Sequence, residues 1–215
     1  MALSYNNTCL MEEDVSLLDD CQWLNDKLIG FMFEFFENTL LPTISTAKIL
    51  FISPEVTQFI KMIEQPDEVG MFLEPLSAQE QDLVFFAVNN HGSASTCGGS
   101  HWSLLVYNNK TAHFHHFDSS SSFNAQDARD IANKAYSHIN GKQNRQMKFL
   151  SHNDCSQQTN GYDCGMYVIM FTEELCNRVR DDFSEHAFEK LAVNGVLQKR
   201  VWIQRLIRKL AKSSM

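Results

Sequence analysis

The chain contains little proline or glycine, with four prolines and nine glycines among 215 residues. No stretch marks a linker between domains, no repeat is present, and the longest low-complexity run is the serine stretch 119–122. With 44% hydrophobic residues, a chain of this length can fill one core. We therefore predict a single domain spanning 1–215, with flexible ends at about 1–12 and 211–215.

Long apolar runs are also missing. None approaches the roughly 20 residues that a membrane-spanning helix needs, and residues 1–7 have neither the basic start nor the apolar core of a secretion signal. These absences predict a soluble, non-secreted protein of the cytoplasm or nucleus, without a membrane partner. We take a monomer as the starting assumption.

Basic residues are too few for a nucleic-acid-binding surface. Lysine and arginine number 18 against 26 acidic residues, so the formal net charge is −8. A surface that binds the phosphate backbone of a nucleic acid would have to overcome the repulsion from this net negative charge. Nucleic acid is therefore not an expected partner, and a protein with a basic face fits better.

The six cysteines are scattered and include no Cys-x-x-Cys pair, which predicts reduced thiols in a non-secreted protein. The candidate metal ligands are His113, His115 and His116, with Cys97 or Cys155. Alternation along a strand turns His113 and His115 away from His116. We therefore expect no metal and no cofactor.

Periodicity predicts helices at both ends of the chain and strands in its middle. The predicted helices cover residues 23–36, 54–64 after an N-cap at Ser53, 124–140 with Asn124 as N-cap, a segment after Cys164, and 196–210. The predicted strands are 51–52, 83–88, 102–107, 112–117 and 147–150. This order is typical of an α+β layered domain.

The closing helix carries a basic face formed by Lys199, Arg200, Arg205, Arg208 and Lys209. Such a face occurs in helices that bind membrane surfaces or calmodulin. Cations near a helix C-terminus on a solvated face are the commoner case. We therefore expect all five side chains to be solvated.

One cysteine has the setting of a reactive thiol. Residues 157–163 form a polar turn around Asn160-Gly161, and Cys164 follows at the start of an apolar run. A cysteine in the first turn of a helix meets the positive end of the helix dipole, which favours the thiolate. Cys164 is therefore the candidate nucleophile, although a free cysteine beside apolar residues is more often an inert core residue.

A histidine and a carboxylate complete a candidate catalytic set. His101 opens one predicted strand and Asp118 ends the next. With the intervening turn centred near Asn109, antiparallel pairing places residue 101 opposite about residue 117. The spacing therefore predicts a His101–Asp118 contact, with His101 as base and Asp118 as the group that orients it.

An amide donor for the oxyanion is available just before the nucleophile. Gln158 lies six positions before Cys164 across the turn, and its side chain can join the Cys164 N–H in an oxyanion hole. Gln157 competes for this role. The sequence leaves the choice between the two open.

These motifs together resemble the Ulp/sentrin-specific cysteine proteases, which cleave ubiquitin-like modifiers. The resemblance rests on His101-Trp102-Ser103, Asp118 and the 157–165 segment, and on Trp23-Leu24-Asn25-Asp26. Residues 51–60, 71–76 and 165–169 are similar to the Nedd8-directed branch of the family.

The resemblance implies a papain-like, Ulp-type fold with a central, mostly antiparallel sheet flanked by helices. It implies catalysis by Cys164, His101, Asp118 and Gln158. It also implies a channel for a Gly-Gly tail that is roofed by Trp23 and Trp102. Further substrate-contacting residues would be Asn25, Asp26, Gly98, Gly99 and Gln157.

The partners implied are Nedd8 and Nedd8-conjugated proteins such as cullins, with trimming of the Nedd8 precursor at the same site. Two alternatives remain. The modifier could be SUMO or ubiquitin, or the chain could bind a ubiquitin-like protein without catalysis.

Overall fold

The order of elements follows the predicted pattern of helical ends and a strand-rich middle. The computed structural model describes residues 1–93, 98–140 and 145–213. Its strands are β1 (Leu3–Tyr5), β2 (Thr8–Leu10), β3 (Ile49–Ile52), β4 (Leu83–Asn89), β5 (Trp102–Asn108), β6 (His113–Phe117) and β7 (Lys148–His152). Its α-helices are α1 (Glu12–Ser16), α2 (Asp26–Thr39), α3 (Pro54–Met62), α4 (Gly70–Leu73), α5 (Ala125–Ile139), α6 (Cys164–Asp181) and α7 (Val196–Ser213).

A five-stranded sheet in the order β3-β4-β5-β6-β7 forms the centre of the domain. The two inner pairings, β4 with β5 and β5 with β6, are antiparallel. The two outer pairings, β3 with β4 and β6 with β7, are parallel. The sheet is therefore mixed, whereas we expected it to be mostly antiparallel; the α+β class itself is confirmed.

Apolar side chains on the two faces of this sheet belong to two separate cores. One core joins alternate residues of β4, such as Phe85, to α2 and α6. The other joins the intervening residues, such as Phe86, to α3 and α5. Because both faces are covered, every residue of β4 is buried, and the central strands read as continuous apolar runs rather than alternating ones.

Local capping explains where the second long helix begins. Ser53 lies at the N-cap of α3, where its side chain accepts a hydrogen bond from the Val56 N–H at 3.3 Å, and Pro54 occupies the first helical position. The prediction of this helix from residue 54 is thereby confirmed.

Secondary structure extends close to both ends of the chain. β1 and β2 form an antiparallel hairpin in which Leu3 and Leu10 are 2% and 0% exposed. These apolar side chains pack into the core beside α2 and hold the first residues in place. At the other end α7 continues to Ser213, and residues 214–215 lie outside the described residues.

The β5–β6 hairpin forms as predicted, but its register differs. Leu104 pairs with Phe117 and Asn108 with His113, so the turn is centred between residues 110 and 111 rather than near 109. Continuing the register by one pair places Asp118 opposite Ser103. Because side chains two residues apart share a face of the strand, His101 is a diagonal neighbour of Asp118, and the predicted contact survives the correction.

Within the described residues, none of the helices combines the length and the apolarity needed to cross a bilayer.

Candidate active site

The candidate nucleophile is the first residue of α6. Cys164 is 2% exposed, and its neighbour Gly165 packs so closely against Leu24 that an added Cβ would lie 2.9 Å from the Leu24 Cβ. Glycine at 165 therefore allows the start of α6 to approach the segment that carries Trp23. The predicted placement of Cys164 in the first turn of a helix is confirmed.

The turn before Cys164 is built around one asparagine. The Asn160 side-chain oxygen accepts hydrogen bonds from the N–H groups of Tyr162 and Asp163 at 3.1 and 3.0 Å. Its amide nitrogen donates to the Asp163 carboxylate at 2.7 Å. An asparagine that bonds the backbone two residues ahead is typical of such turns, and here it sets the entry into α6.

His101 and Asp118 lie in direct contact. The distance between His101 Nε2 and Asp118 Oδ1 is 2.6 Å, and the two residues are 5% and 2% exposed. The His101 side chain also interacts with Cys164. Since Nε2 faces Asp118, Nδ1 is the nitrogen left for the sulfur, and the imidazole bridges the thiol and the carboxylate.

Backbone donors fix the Asp118 carboxylate. Oδ1 accepts from the Ser120 N–H at 2.8 Å, and Oδ2 accepts from the Asn124 N–H at 2.9 Å. Burial by itself would raise the pKa of Asp118, but the hydrogen bonds from His101 and from these N–H groups lower it below its usual value. The carboxylate is therefore ionised and held in one orientation.

The same contacts determine the protonation of His101. Burial alone would lower the pKa of His101, but its hydrogen bonds and charge interactions with Asp118 and Cys164 raise the pKa to about 9. The imidazole is therefore protonated at neutral pH.

Asn124 supports this pair in a way that the sequence did not indicate. It precedes α5 at the N-cap position, as expected, but its side chain makes no capping hydrogen bond. Its amide nitrogen instead donates to the His101 carbonyl at 3.2 Å and to the Val88 carbonyl at 3.3 Å. Asn124 is fully buried and links the backbone of His101 to the N–H that holds Asp118.

One aromatic neighbour of the site was also missed. The ring of Phe123 contacts the His101 imidazole edge to face, with centroids 5.6 Å apart, although Phe123 is 64% exposed. An exposed phenylalanine in a loop carries no periodic signal, so only the structure could reveal the contact.

A cleft of about 660 Å³ brings most of the predicted site residues together. The predicted residues that line it are Trp23, Asn25, Asp26, Gly98, Gly99, His101, Trp102 and Cys164. Among the described residues, Asp118, Gln157 and Gln158 are not part of its lining. Asp118 is buried next to His101, so the cleft is lined by Cys164 and His101 but not by the carboxylate.

Hydrogen bonds position the residues around this cleft. The Trp102 indole N–H donates to the Leu24 carbonyl at 3.1 Å, and Trp23 is 49% exposed. Gly99 has φ +86°, and an added Cβ would lie 1.9 Å from Asn89 Oδ1, so only glycine fits there. Trp23, Trp102 and the two glycines Gly98 and Gly99 all line the cleft.

Asn25 and Asp26 start α2. The Asn25 side chain accepts from the Leu28 N–H at 3.1 Å as an N-cap, and its amide donates to Asp14 at 2.8 Å. The side chain of Asp26 accepts from the Lys27 N–H at 2.9 Å. Both residues line the cleft, and Asn25 in addition fixes the start of the helix.

The two glutamines have different environments. Gln157 Nε2 donates to the carbonyls of Asp118 and Cys155 at 2.9 and 3.1 Å, which occupies both of its N–H bonds. Gln158 Nε2 donates to the Asn160 carbonyl at 2.7 Å. Its second N–H makes no hydrogen bond to another described residue.

Arg200 is not solvated, which corrects our expectation for the closing helix. It is 1% exposed, and its Nε and Nη2 donate to Asp163 Oδ1 at 3.0 and 2.8 Å. The guanidinium also donates to the carbonyls of Leu17, Asp19 and Gln22. It therefore ties α7 and the segment before α2 to the residue that precedes Cys164.

The other described buried thiols lie in settings that suppress reactivity. Burial raises the pKa of Cys155 to about 11 and also raises the pKa of Cys176. Cys9 and Cys21 are exposed, and Cys97 lies outside the described residues. Of the described cysteines, Cys164 is the one that interacts with His101.

Known proteins share this sequence and this fold. A model of the Ulp1 protease family, C-terminal catalytic domain, matches residues 22–206. Human sentrin-specific protease 8 is 42% identical over 212 residues, which cover 99% of this chain and 98% of that protein. NEDD8-specific protease 1 of Arabidopsis thaliana is 29% identical and covers 81% of this chain and 74% of its own length.

The fold also matches a solved structure. The C-terminal Ulp1 protease domain in complex with Smt3, the yeast orthologue of SUMO, superposes with a TM-score of 0.68 at 22% identity over 98% of this chain and 87% of that one. The family model spans well over half of the chain, and the resemblance drawn from the sequence motifs is confirmed. The chain therefore belongs to the Ulp1 protease family, peptidase family C48, and is a cysteine peptidase of that family.

Proposed function

We propose that this chain hydrolyses the bond after the C-terminal Gly-Gly of Nedd8, and so removes Nedd8 from conjugated proteins such as cullins and trims its precursor. The observation that supports this reaction is the position of the His101 imidazole between Cys164 and Asp118. Relatives named sentrin-specific protease 8 and NEDD8-specific protease 1 support the choice of modifier.

In the first half of the reaction, the Cys164 thiolate attacks the carbonyl carbon of the terminal glycine. The protonated His101 then gives its Nδ1 proton to the leaving amine, and the C–N bond breaks. The product is a thioester between Cys164 and the modifier. Asp118 keeps the imidazole oriented and stabilises its charged form, since its oxygen lies 2.6 Å from Nε2.

In the second half, neutral His101 takes a proton from water as the water attacks the thioester carbonyl. The C–S bond breaks, the modifier leaves with a free carboxylate, and the thiolate–imidazolium pair is restored. The proton that His101 loses in the first half is thus regained in the second, and neither half requires a cofactor.

The mouth of the cleft supports selection of an extended Gly-Gly tail. Trp23 and Trp102 present rigid indoles there, and Gly98 and Gly99 provide backbone without side chains. A tail of two glycines can pass between such surfaces, whereas bulkier residues would collide. Asn25 and Asp26 add polar groups to the same lining.

The modifier can be tested by labelling the purified chain with Nedd8, SUMO and ubiquitin that each carry a thiol-reactive C-terminal group. We expect Nedd8 to label the protein and the other two modifiers to label it poorly. Cys164→Ala should abolish labelling, and the matched buried variant Cys176→Ala should keep it.

Each other result has a defined meaning. Preferential labelling by SUMO or ubiquitin would support the cysteine-protease mechanism but contradict Nedd8 as the substrate. Absence of labelling, with Nedd8 still bound, would support a binding module without catalysis.

We propose Gln158 as the side-chain donor of the oxyanion hole, together with the Cys164 N–H. Its free amide N–H and its position six residues before Cys164 support this choice over Gln157. Gln158→Ala is expected to lower kcat by about 10²–10³-fold with little change in KM, because the donor acts on charge that develops in the transition state. Steady-state kinetics with a fluorogenic Nedd8 amide would measure the effect, and a larger loss in Gln157→Ala would reverse the assignment.

We also propose that the chain acts as one catalytic domain, as a monomer, in the cytoplasm or nucleus. Both cores pack on a single sheet, which supports one folding unit. The net charge of −8 supports a protein partner with a basic face, and opposes nucleic acid.

A further inference from the structure

Two histidines of β6 and one carboxylate face each other on the side of the sheet that packs against α6. His113 and His115 share one face of β6, and Glu185 begins the short 3-10 helix Glu185–Phe188 beside it. One potential ligand atom from each of the three residues lies within 4.8 Å of the other two. The ring of Phe188 stacks on His115 with centroids 4.0 Å apart, which holds the helix against the strand.

One nitrogen of each histidine in this cluster lacks a hydrogen-bond partner among the described residues. His113 Nδ1 and His115 Nε2 are buried, and neither makes a hydrogen bond with any described residue. His115 is 1% exposed. Burying a polar atom without a hydrogen-bond partner is unfavourable, so two such atoms beside a carboxylate indicate that a ligand belongs between them.

The other nitrogen of His115 is held as in known metal sites. His115 Nδ1 lies 2.9 Å from His152 Nε2, and His152 Nδ1 lies 3.8 Å from the Asp154 carboxylate. A carboxylate that orients His152, which in turn accepts the His115 Nδ1 proton, leaves the Nε2 lone pair directed at the cluster.

Glu185 is oriented by a second residue. The Asn108 side-chain amide donates to Glu185 Oε1 at 3.0 Å, which turns Oε2 toward His113 Nδ1 at 3.9 Å. The Glu185 side chain is 48% exposed and that of His113 is 20% exposed. The cluster is therefore buried on the His115 side and open to solvent on the Glu185 side, as an entry path for an ion requires.

We propose that His113, His115 and Glu185 form a binding site for a divalent cation of the zinc class, with water as the fourth ligand. Two imidazole nitrogens and one carboxylate oxygen are a donor set that zinc accepts. Zinc–ligand distances near 2.0–2.1 Å place tetrahedral ligands about 3.3 Å apart, so binding draws the partly exposed His113 and Glu185 inward. A bound ion would tie the Glu185 helix to β6, the strand that leads to Asp118.

Alternation along β6 excludes His116 from this site but not His113 and His115. His116 does face away, with its Nε2 2.9 Å from Ser103 Oγ. His113 and His115 share the opposite face, and their partner, Glu185, lies 70 positions after His115. No local motif could indicate that ligand.

The test is zinc titration of the full chain by isothermal titration calorimetry after chelator treatment. The protein should carry Cys164→Ala, because the active-site thiol is itself a zinc ligand. We expect one ion per chain, and at least tenfold weaker binding in His113→Gln and in Glu185→Gln. His186→Gln, at an exposed histidine of the same 3-10 helix, is the matched control and should bind like the parent.

Cobalt absorption reports the ligands independently of affinity. Bound Co²⁺ should show the visible bands of a nitrogen and oxygen site without thiolate charge transfer. A thiolate band, equal affinity in the two ligand variants, or no stoichiometric binding would overturn the proposal. Circular dichroism of the metal-free variants verifies their folding, and the result is independent of the protease activity.

Discussion

Replacing Asp118 with asparagine is expected to lower kcat/KM for Nedd8 cleavage by about 10²–10⁴-fold. Asp118 stabilises the charged His101 ring through a 2.6 Å contact, and general acid–base groups of this kind contribute effects of this size. Asparagine has the same shape but no charge. Its amide nitrogen would also face the N–H of either Asn124 or Ser120, which now donate to the two carboxylate oxygens.

The same substitution should change the pH dependence of the reaction. With the His101 pKa at about 9, the rate of the native enzyme should fall as pH rises through about 9, because the imidazolium is lost. Removing Asp118 removes one of the interactions that raise this pKa, while burial, which lowers it, remains. The pH at which the rate begins to fall should therefore be lower in Asp118→Asn than in the native enzyme.

A pH–rate profile of kcat/KM distinguishes this role from a merely structural one. A structural role would lower kcat/KM equally at all pH values and would not change the pH at which kcat/KM falls. Asp67→Asn is the control: it removes a charge at an exposed position and should change neither kcat/KM nor the pH at which kcat/KM falls.

Replacing Arg200 with methionine is expected to destabilise the fold by about 3–5 kcal/mol. Arg200 is buried and pairs with Asp163, and removing one partner of a buried ion pair leaves the other charge uncompensated. The three carbonyls that accept from the guanidinium also lose their donor. For a chain of this size the loss corresponds to a fall in Tm of roughly 6–20 °C.

Thermal unfolding of matched variants can test this explanation. Arg205→Met removes an exposed arginine of the same helix and should shift Tm little. The double variant Arg200→Met, Asp163→Asn should be more stable than Arg200→Met alone, because no unpaired charge remains. A Tm loss that the double variant does not relieve would mean that the carbonyl contacts, not the Asp163 charge, dominate.

Much of the fold could be predicted because local signals agreed with tertiary packing. Ser53 and Pro54 mark the start of α3 through capping, and the turn after Asn108 joins two strands that form a hairpin. The parallel pairings of β3 and β7 could not be predicted in this way. Parallel neighbours are joined by long crossovers, and no turn residue between them records the pairing.

The His101–Asp118 contact shows how a prediction can survive an error in register. Leu104 pairs with Phe117 in the structure, whereas the predicted turn position would have paired it with Phe114. In the predicted register Asp118 would lie opposite Ser100 and face the other side of the sheet from His101, so the contact depends on the observed register. It is retained because His101 lies two residues from Ser103, on the face that Asp118 shares.

The sequence by itself determined the chemical groups and their local presentation: a thiol at the start of a helix, a histidine and a carboxylate on neighbouring strands, and two candidate amides. Those features depend on residue type and short spacing, which are local properties. The tertiary structure decided that Asn124 links His101 to Asp118, that Arg200 is buried against Asp163, and that Glu185 joins His113 and His115. Each of these contacts joins residues far apart in the chain, and such distances are set by how helices and sheet pack, not by any local pattern.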